Sequence, residues 1–375
     1  MSTYVDIHII QNLPPSCVNR DDSGSPKSAI YGGVRRLRVS SQSWKRAARL
    51  YFDDLLDASD VGVRTKRVAG VLAAKIAEDA PELTESALSL AEGVFKTAKI
   101  KLSPPRGKKN APQESGYLMF LSAGQIGRLA ELAITSARGG EALDARTVKK
   151  IFKEAHAVDI ALFGRMVADD TDLNVDAACQ VAHAISTHAA ENEYDFFTAV
   201  DDEKNRSEEE DAGAGMMGTV EFSSATMYRY ATVNVDLLRH NLGDSEATLR
   251  ALEVFVRGFC LSMPTGKQNT FANRTVPETV VVTVREDQPV SLVGAFEEAV
   301  PAQGAHGYVA RSVEALARHA ATIEDNYGLE PLRSFVVALT DSDAVTLLGE
   351  RVSFTDLPAQ VREAVSPRLP GQEQA

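Results

Sequence analysis

The feature that most constrains this chain is where its strand-forming segments fall. Tyr4-Val5-Asp6-Ile7-His8-Ile9-Ile10 alternates and is rich in β-branched residues, as a strand requires. The next long strand-forming run, Thr219 to Val235, comes about two hundred residues later. Between them, residues 64–190 are rich in Ala and Leu with few β-branched runs, which predicts a helical insertion broken near Ser103-Pro104-Pro105-Arg106-Gly107-Lys108-Lys109. Any sheet must therefore bring together segments from both sides of that insertion.

Shorter elements fill in the pattern. Leu37-Arg38-Val39 is a strand candidate, and Ser40-Ser41-Gln42-Ser43 supplies helix-capping chemistry for a helix from about Gln42 to Leu56. Asp195 to Val200 predicts a strand, Glu246 to Leu261 a helix, Thr279 to Val284 a strand, Ala310 to Ile323 a helix and Phe335 to Leu339 a last strand. With the insertion removed, the order is strand, helix, strands, helix, strand. This is the βαββαβ pattern of ferredoxin-like and RNA-recognition folds, so the expected class is α+β.

A net charge of −12 over 375 residues argues against a nucleic-acid partner if taken alone. Counterion release depends instead on where the cations sit. From Arg20 to Leu50 there are eight Lys/Arg against two Asp, whereas Asp201 to Asp211 carries seven Asp/Glu against two Lys/Arg. Such segregation suits a chain that binds RNA with one surface and its own copies with another, and it also occurs in ordinary enzymes. Cys17, Cys179 and Cys260 form no CxxC pair, no apolar run reaches membrane-spanning length, and the first residues do not resemble a secretory signal. The expectation is a cytoplasmic protein with free thiols.

Common catalytic motifs fail on their context. Gly213-Ala214-Gly215-Met216-Met217-Gly218 fits GxGxxG, but an acidic run precedes it and a strand follows, where a dinucleotide site needs strand then helix. Thr265-Gly266-Lys267-Gln268 ends like a P-loop but lacks its first glycine and the magnesium-binding hydroxyl; Lys267 and Arg274 could still touch phosphate. Asp170, Asp172, Asn174 and Asp176 begin like a calcium loop, but Val175 and Val181 replace its essential Gly and Glu. His183 and His188 are five apart rather than four, and there is no HExxH or GxSxG. No metal and no cofactor is expected.

The strongest local signal is Arg35 to Arg49. Basic side chains, Arg38 among them, lead into the hydroxyl-rich start of a helix and recur on it at Lys45, Arg46 and Arg49, with Gln42, Lys45 and Arg49 on one face. Guanidinium, ammonium, hydroxyl and free amide groups so arranged suit phosphate; a solvated helix face is the alternative. The second signal is Phe196-Phe197 beside Met216-Met217 in a predicted hairpin, suited to wedging between bases or packing on a partner, with burial in the sheet as the alternative.

Several stretches together resemble the CasC-type backbone subunit of the type I-E CRISPR Cascade complex. They are Pro15 to Asp22, Ile30-Tyr31-Gly32-Gly33, Arg35 to Arg49, Asp159 to Met166, Ala178 to His188, Asp195 to Asp202 and Glu221 to Ser224. The resemblance implies a hand-like subunit: an RNA-recognition-type palm over 1–59 and 224–375, helical fingers over 60–190, and a β-hairpin thumb over 191–223. It implies a non-catalytic protein that coats CRISPR RNA side by side with copies of itself and presents the guide to target DNA through an RNA–DNA hybrid. Large, small, CasD-type and CasE-type subunits would be its other partners, with no membrane. It further implies that Arg20, Lys27, Ser40, Gln42, Lys45 and Arg49 hold the RNA backbone. Met166 would stack near a displaced base, and Phe196 and Phe197 would lie in the thumb. This chain has Phe196-Phe197 where the family often has Trp-Phe, and Arg49 where Lys is common. A competing reading is an RNA endonuclease of the same superfamily, with His8 or another His as general base; another is a small-molecule α+β enzyme.

Overall fold

The computed structural model describes residues 2–57, 59–105, 112–199, 216–302, 304 and 307–370. The acidic tract 201–215, with the first half of the glycine cluster, and the basic break 106–109 lie outside the described residues.

The chain opens with β1 (Tyr4–Ser16), β2 (Ser28–Tyr31), β3 (Val34–Val39) and helix α1 (Ser41–Phe52). The insertion holds β4 (Gly62–Thr65), α2 (Val68–Asp79), α3 (Ala87–Thr97), β5 (Leu102–Ser103), β6 (Glu114–Ser115), β7 (Met119–Ser122), α4 (Ala123–Gly139), α5 (Ala145–Lys153) and α6 (Val158–Phe163). Then come β8 (Cys179–Val181), β9 (Ala184–Ser186), β10 (Glu193–Ala199) and the 19-residue β11 (Met216–Asn234). The C-terminal part adds helix Ser245–Leu261, β12 (Thr279–Arg285), helix Val309–Tyr327, β13 (Arg333–Ala338) and β14 (Glu350–Arg351).

One large sheet runs β14-β13-β12-β1-β11-β9-β3-β2, with β8 and β10 also paired to β11. Its centre, β12-β1-β11-β9, is antiparallel at every junction. Counting β1, α1, β8–β9, β11, helix Ser245–Leu261 and β12 as the βαββαβ elements, this is the strand order 4-1-3-2 of the ferredoxin-like fold. The mixed α+β class expected from the sequence is what the chain adopts. The helical insertion ends earlier than residue 190: β8 and β9 belong to the sheet, pairing Ala231 with Val181 and Met227 with Ser186. Three-residue strands are too short for alternation to reveal them, and they exist because β11 offers them an edge.

Alternation along β1 serves two cores. Val5, Ile7 and Ile9 meet Trp44, Ala48 and Phe52 of α1 and Leu252, Phe255 and Phe259 of helix Ser245–Leu261. The two helices approach closely at Gly258, where an added Cβ would stand 2.8 Å from the Phe52 ring. On the opposite face, Ile10, Tyr228, Tyr230 and Val281 are covered by Phe296, Val313 and Leu316. The insertion has its own core, in which Leu72, Ile76, Phe95, Leu129, Ile134 and Phe152 gather from α2 to α5. A capping box between Ser122 and Gln125 starts α4. Among the described residues no helix is long and apolar enough to cross a membrane.

Candidate nucleic-acid interface

Three segments converge beside the start of α1. The loop after β1 folds back through an Arg20–Pro26 bridge, and its Asn19 ties it to the helix by accepting the Ser40 amide at 2.9 Å. The loop before Gln268–Phe271 lies directly on it: a Cβ on Gly266 would stand 2.3 Å from the Val18 carbonyl oxygen, so only glycine fits. This brings Lys267 and Arg20 close to Cys17; burial raises that thiol's pKa, and the two cations pull it back. Lys267 takes φ +47°, a left-handed conformation uncommon for a side-chain-bearing residue and found where surrounding packing over-determines it.

A second cluster lies along β3. Arg38 reaches the Nδ1 of His183 at 2.9 Å and donates to the Ser28 carbonyl at 3.3 Å. Partial burial, then Arg38, then Lys27 lower the His183 pKa, and the Lys27 carbonyl accepts the Arg38 amide at 2.9 Å. Nothing in the sequence around His183 marks this role, because its partner Arg38 lies 145 residues away.

The N-terminus of α1 completes the surface. Ser40 is the N-cap residue, but its hydroxyl bonds Ser43 at 3.2 Å rather than capping a backbone amide, and no acid occupies the first turn. The helix therefore presents free N–H groups and the positive end of its dipole. Gln42 and Arg46 are exposed on it. Lys45 is half-buried, its ammonium 5.8 Å from the Phe163 ring centre. None of Arg20, Lys27, Arg38, Lys45, Arg46 and Lys267 has a carboxylate ion-pair partner among the described residues.

Arg49 differs from the exposed helix face that its spacing predicts. Its Nε lies 3.3 Å from Oδ2 of Asp159 on α6, and its guanidinium sits 4.6 Å from the Phe120 ring centre. Asp159 is fully buried, also accepts the Gly62 amide at 3.0 Å, and its carboxyl is pushed up to about 6 by burial, an effect Arg49 opposes. The charge of Arg49 is thus met inside the chain, where it clamps the insertion to α1. Arg36, in the same basic run, is also internal, donating to the carbonyls of Tyr31, Ser186, Phe296 and Glu297.

The hairpin β10–β11 continues past the point where β11 leaves β1, at Ser223 opposite Ser16. Phe196 pairs with Thr219 and Phe197 with Gly218, so the two rings point to opposite faces. Phe196 is 64% exposed and shares its face with the exposed Tyr194 and Met217. Phe197 is half-buried and lies over Gly218, where a Cβ would stand 2.7 Å from the ring. Met166, at the end of the insertion, is 78% exposed.

His8 is not placed to act as a general base. It is buried on the covered sheet face, bonded to the Tyr228 hydroxyl at 3.0 Å, with its pKa lowered to about 3 by burial and by Arg285. Neighbouring Asp6 accepts from Tyr230 and from the Val290 amide and pairs with Arg285. The calcium-like stretch is a single turn, Thr171–Leu173, whose Asp170 pairs with Lys149. Among the described residues no group of three His, Cys, Asp or Glu side chains is placed to hold a metal ion.

Residues 5–360 match the family described as CT1975-like protein. Among solved structures, a chain of a "CRISPR RNA-guided surveillance complex, pre-nicking" is 36% identical with a TM-score of 0.86; the match covers 96% of this chain and 99% of that one. A chain of another "CRISPR RNA-guided surveillance complex" is 30% identical with a TM-score of 0.74, over 96% and 99% of the two chains. No curated protein sequence matches significantly. The chain therefore belongs to the CT1975-like protein family, and its fold is that of subunits found in CRISPR RNA-guided surveillance complexes.

Proposed function

We propose that this protein is a non-catalytic backbone subunit of a type I-E Cascade, several copies of which coat one CRISPR RNA and hold it for pairing with target DNA. The observation that carries this reading is the full-length similarity to a surveillance-complex chain, 36% identical over 96% of the sequence. The ordered series of stretches from Pro15 to Ser224 favours type I-E. The geometry supports a sequence-blind grip. The sheet face that RNA-recognition domains use to read bases is buried here under Phe296, Val313 and Leu316. Cations with no carboxylate partner among the described residues lie instead around α1. Such a surface holds sugar–phosphate and leaves specificity to base pairing. The exposed faces of Phe196 and Met166 would meet the RNA or a neighbouring copy. The burial of His8 weighs against an endonuclease acting through it. Incubating the purified protein with a guide precursor tests the reading: stable coating with the RNA intact is expected, and accumulation of cleaved product contradicts it.

A further inference from the structure

Met166 owes its exposed position to its neighbours. Gly164 turns the chain at φ +77°, and a Cβ there would stand 2.8 Å from the Val175 carbonyl oxygen. Arg165 and Val175 then exchange both backbone hydrogen bonds, at 3.0 and 2.8 Å, and the Val167 amide donates to Asn174 Oδ1 at 2.6 Å. Alternation does the rest: Arg165 and Val167 point inward, 4% and 1% exposed, and Met166 points out at 78%.

The inward side chain is unusual. Among the described residues no carboxylate lies at hydrogen-bond distance from Arg165. Its Nε and one terminal nitrogen donate to the Leu173 carbonyl at 3.0 and 2.9 Å. The same terminal nitrogen reaches the Phe152 carbonyl at 2.6 Å, and the other reaches the Phe120 carbonyl at 3.3 Å and Gln125 Oε1 at 3.4 Å. These acceptors come from β7, α4, the end of α5 and the turn before Asn174. A buried cation held by neutral acceptors alone is expensive, and it is tolerated where its forked donors fix one geometry. An aliphatic residue would fill the space without orienting four segments.

We propose that Arg165 is the positioning residue for Met166: its guanidinium locks the β7, α4 and α5 ends to the 164–175 loop, so that Met166 meets a base in one fixed orientation. This rests on the guide-coating reading above and adds the group that sets the finger geometry. Lysine at this position keeps the charge but cannot serve the dispersed acceptors.

Two measurements separate the parts of the claim. In methionine-methyl NMR of the free protein, Arg165→Lys should move or broaden the Met166 resonance while the palm residues Met227 and Met263 stay unchanged. If Arg165→Lys does not fold, Arg165→Gln, which keeps a planar donor but loses the forked guanidinium, carries the same comparison. A Met166 resonance that is unaltered in a folded variant overturns the inference. In chemical probing of bound guide RNA, the unaltered protein should leave reactive nucleotides at a regular interval. Arg165→Lys should lower that contrast about fivefold, equivalent to about 1 kcal/mol of base stacking, without changing the salt dependence of binding. Contrast retained in the variant also overturns the inference, whereas no periodic reactivity with the unaltered protein overturns the guide-coating reading.

Discussion

Replacing Arg20, Lys27 and Lys267 by Ala in one variant should flatten the salt dependence of RNA binding, and replacing Arg49 should not. The two sets differ in what faces their charge. The first three have no carboxylate ion-pair partner among the described residues, so each phosphate they neutralise releases counterions. For single-stranded RNA each contact contributes about 0.7 to the slope of log K against log salt, so the triple variant should lose about 2 per bound copy. Arg49 is already paired with Asp159 at 3.3 Å, and its removal should change the slope little. It should instead destabilise the fold by about 3 kcal/mol at pH 7, because a buried carboxylate loses its cation. At pH 5 the penalty should shrink, since the carboxyl, already pushed up to about 6, takes a proton. Fluorescence anisotropy with labelled RNA at several salt concentrations gives the slopes, and urea unfolding gives the stabilities. An Arg49→Ala variant with a flatter slope and unchanged stability would refute the division between clamp and grip, as would a triple variant with an unchanged slope.

The hairpin rings should separate in their effects. Phe196→Ala should leave the melting temperature of the isolated protein unchanged while costing roughly 1–3 kcal/mol per stacked base in the assembly; Phe197→Ala should disturb the hairpin itself through the contact at Gly218, seen as faster amide exchange over residues 216–222. Gly266→Ala should push the Lys267 loop off Val18 and weaken RNA binding with little change in global stability, measured by anisotropy and thermal melting. Asp159 has a folded-state pKa raised from 3.8 to about 6, so its contribution to stability is fully present below pH 4 and lost as pH rises through 6. Unfolding of the unaltered protein and of Asp159→Asn across pH 4–7 should show a steeper fall in the former, with buried Asp6, also pushed up to about 6, contributing the same fall in both.

What could be read from the sequence followed periodicity. β1 and β11 announce themselves by alternation, and the helix over Ser245–Leu261 by its apolar stripe. The end of the insertion did not, because β8 and β9 are strands only by virtue of pairing with β11. The basic run was visible as composition, but its division was not. Arg36 ends among backbone carbonyls from distant segments, Arg49 meets an aspartate more than a hundred residues away, and Arg38 finds His183. Carbonyl acceptors leave no mark in a sequence, so a caged arginine and a phosphate-binding arginine look alike until the chain is folded. Phe196 and Phe197 read as a pair, yet strand parity sends neighbouring residues to opposite faces.

Sequence-blind coating of guide RNA can be read from native mass spectrometry of the protein mixed with guide RNAs of increasing length. The number of bound copies should rise in even steps with RNA length, whatever the base sequence, while the RNA mass stays that of the input. A single copy at every length, or RNA fragments in place of the input strand, would contradict it.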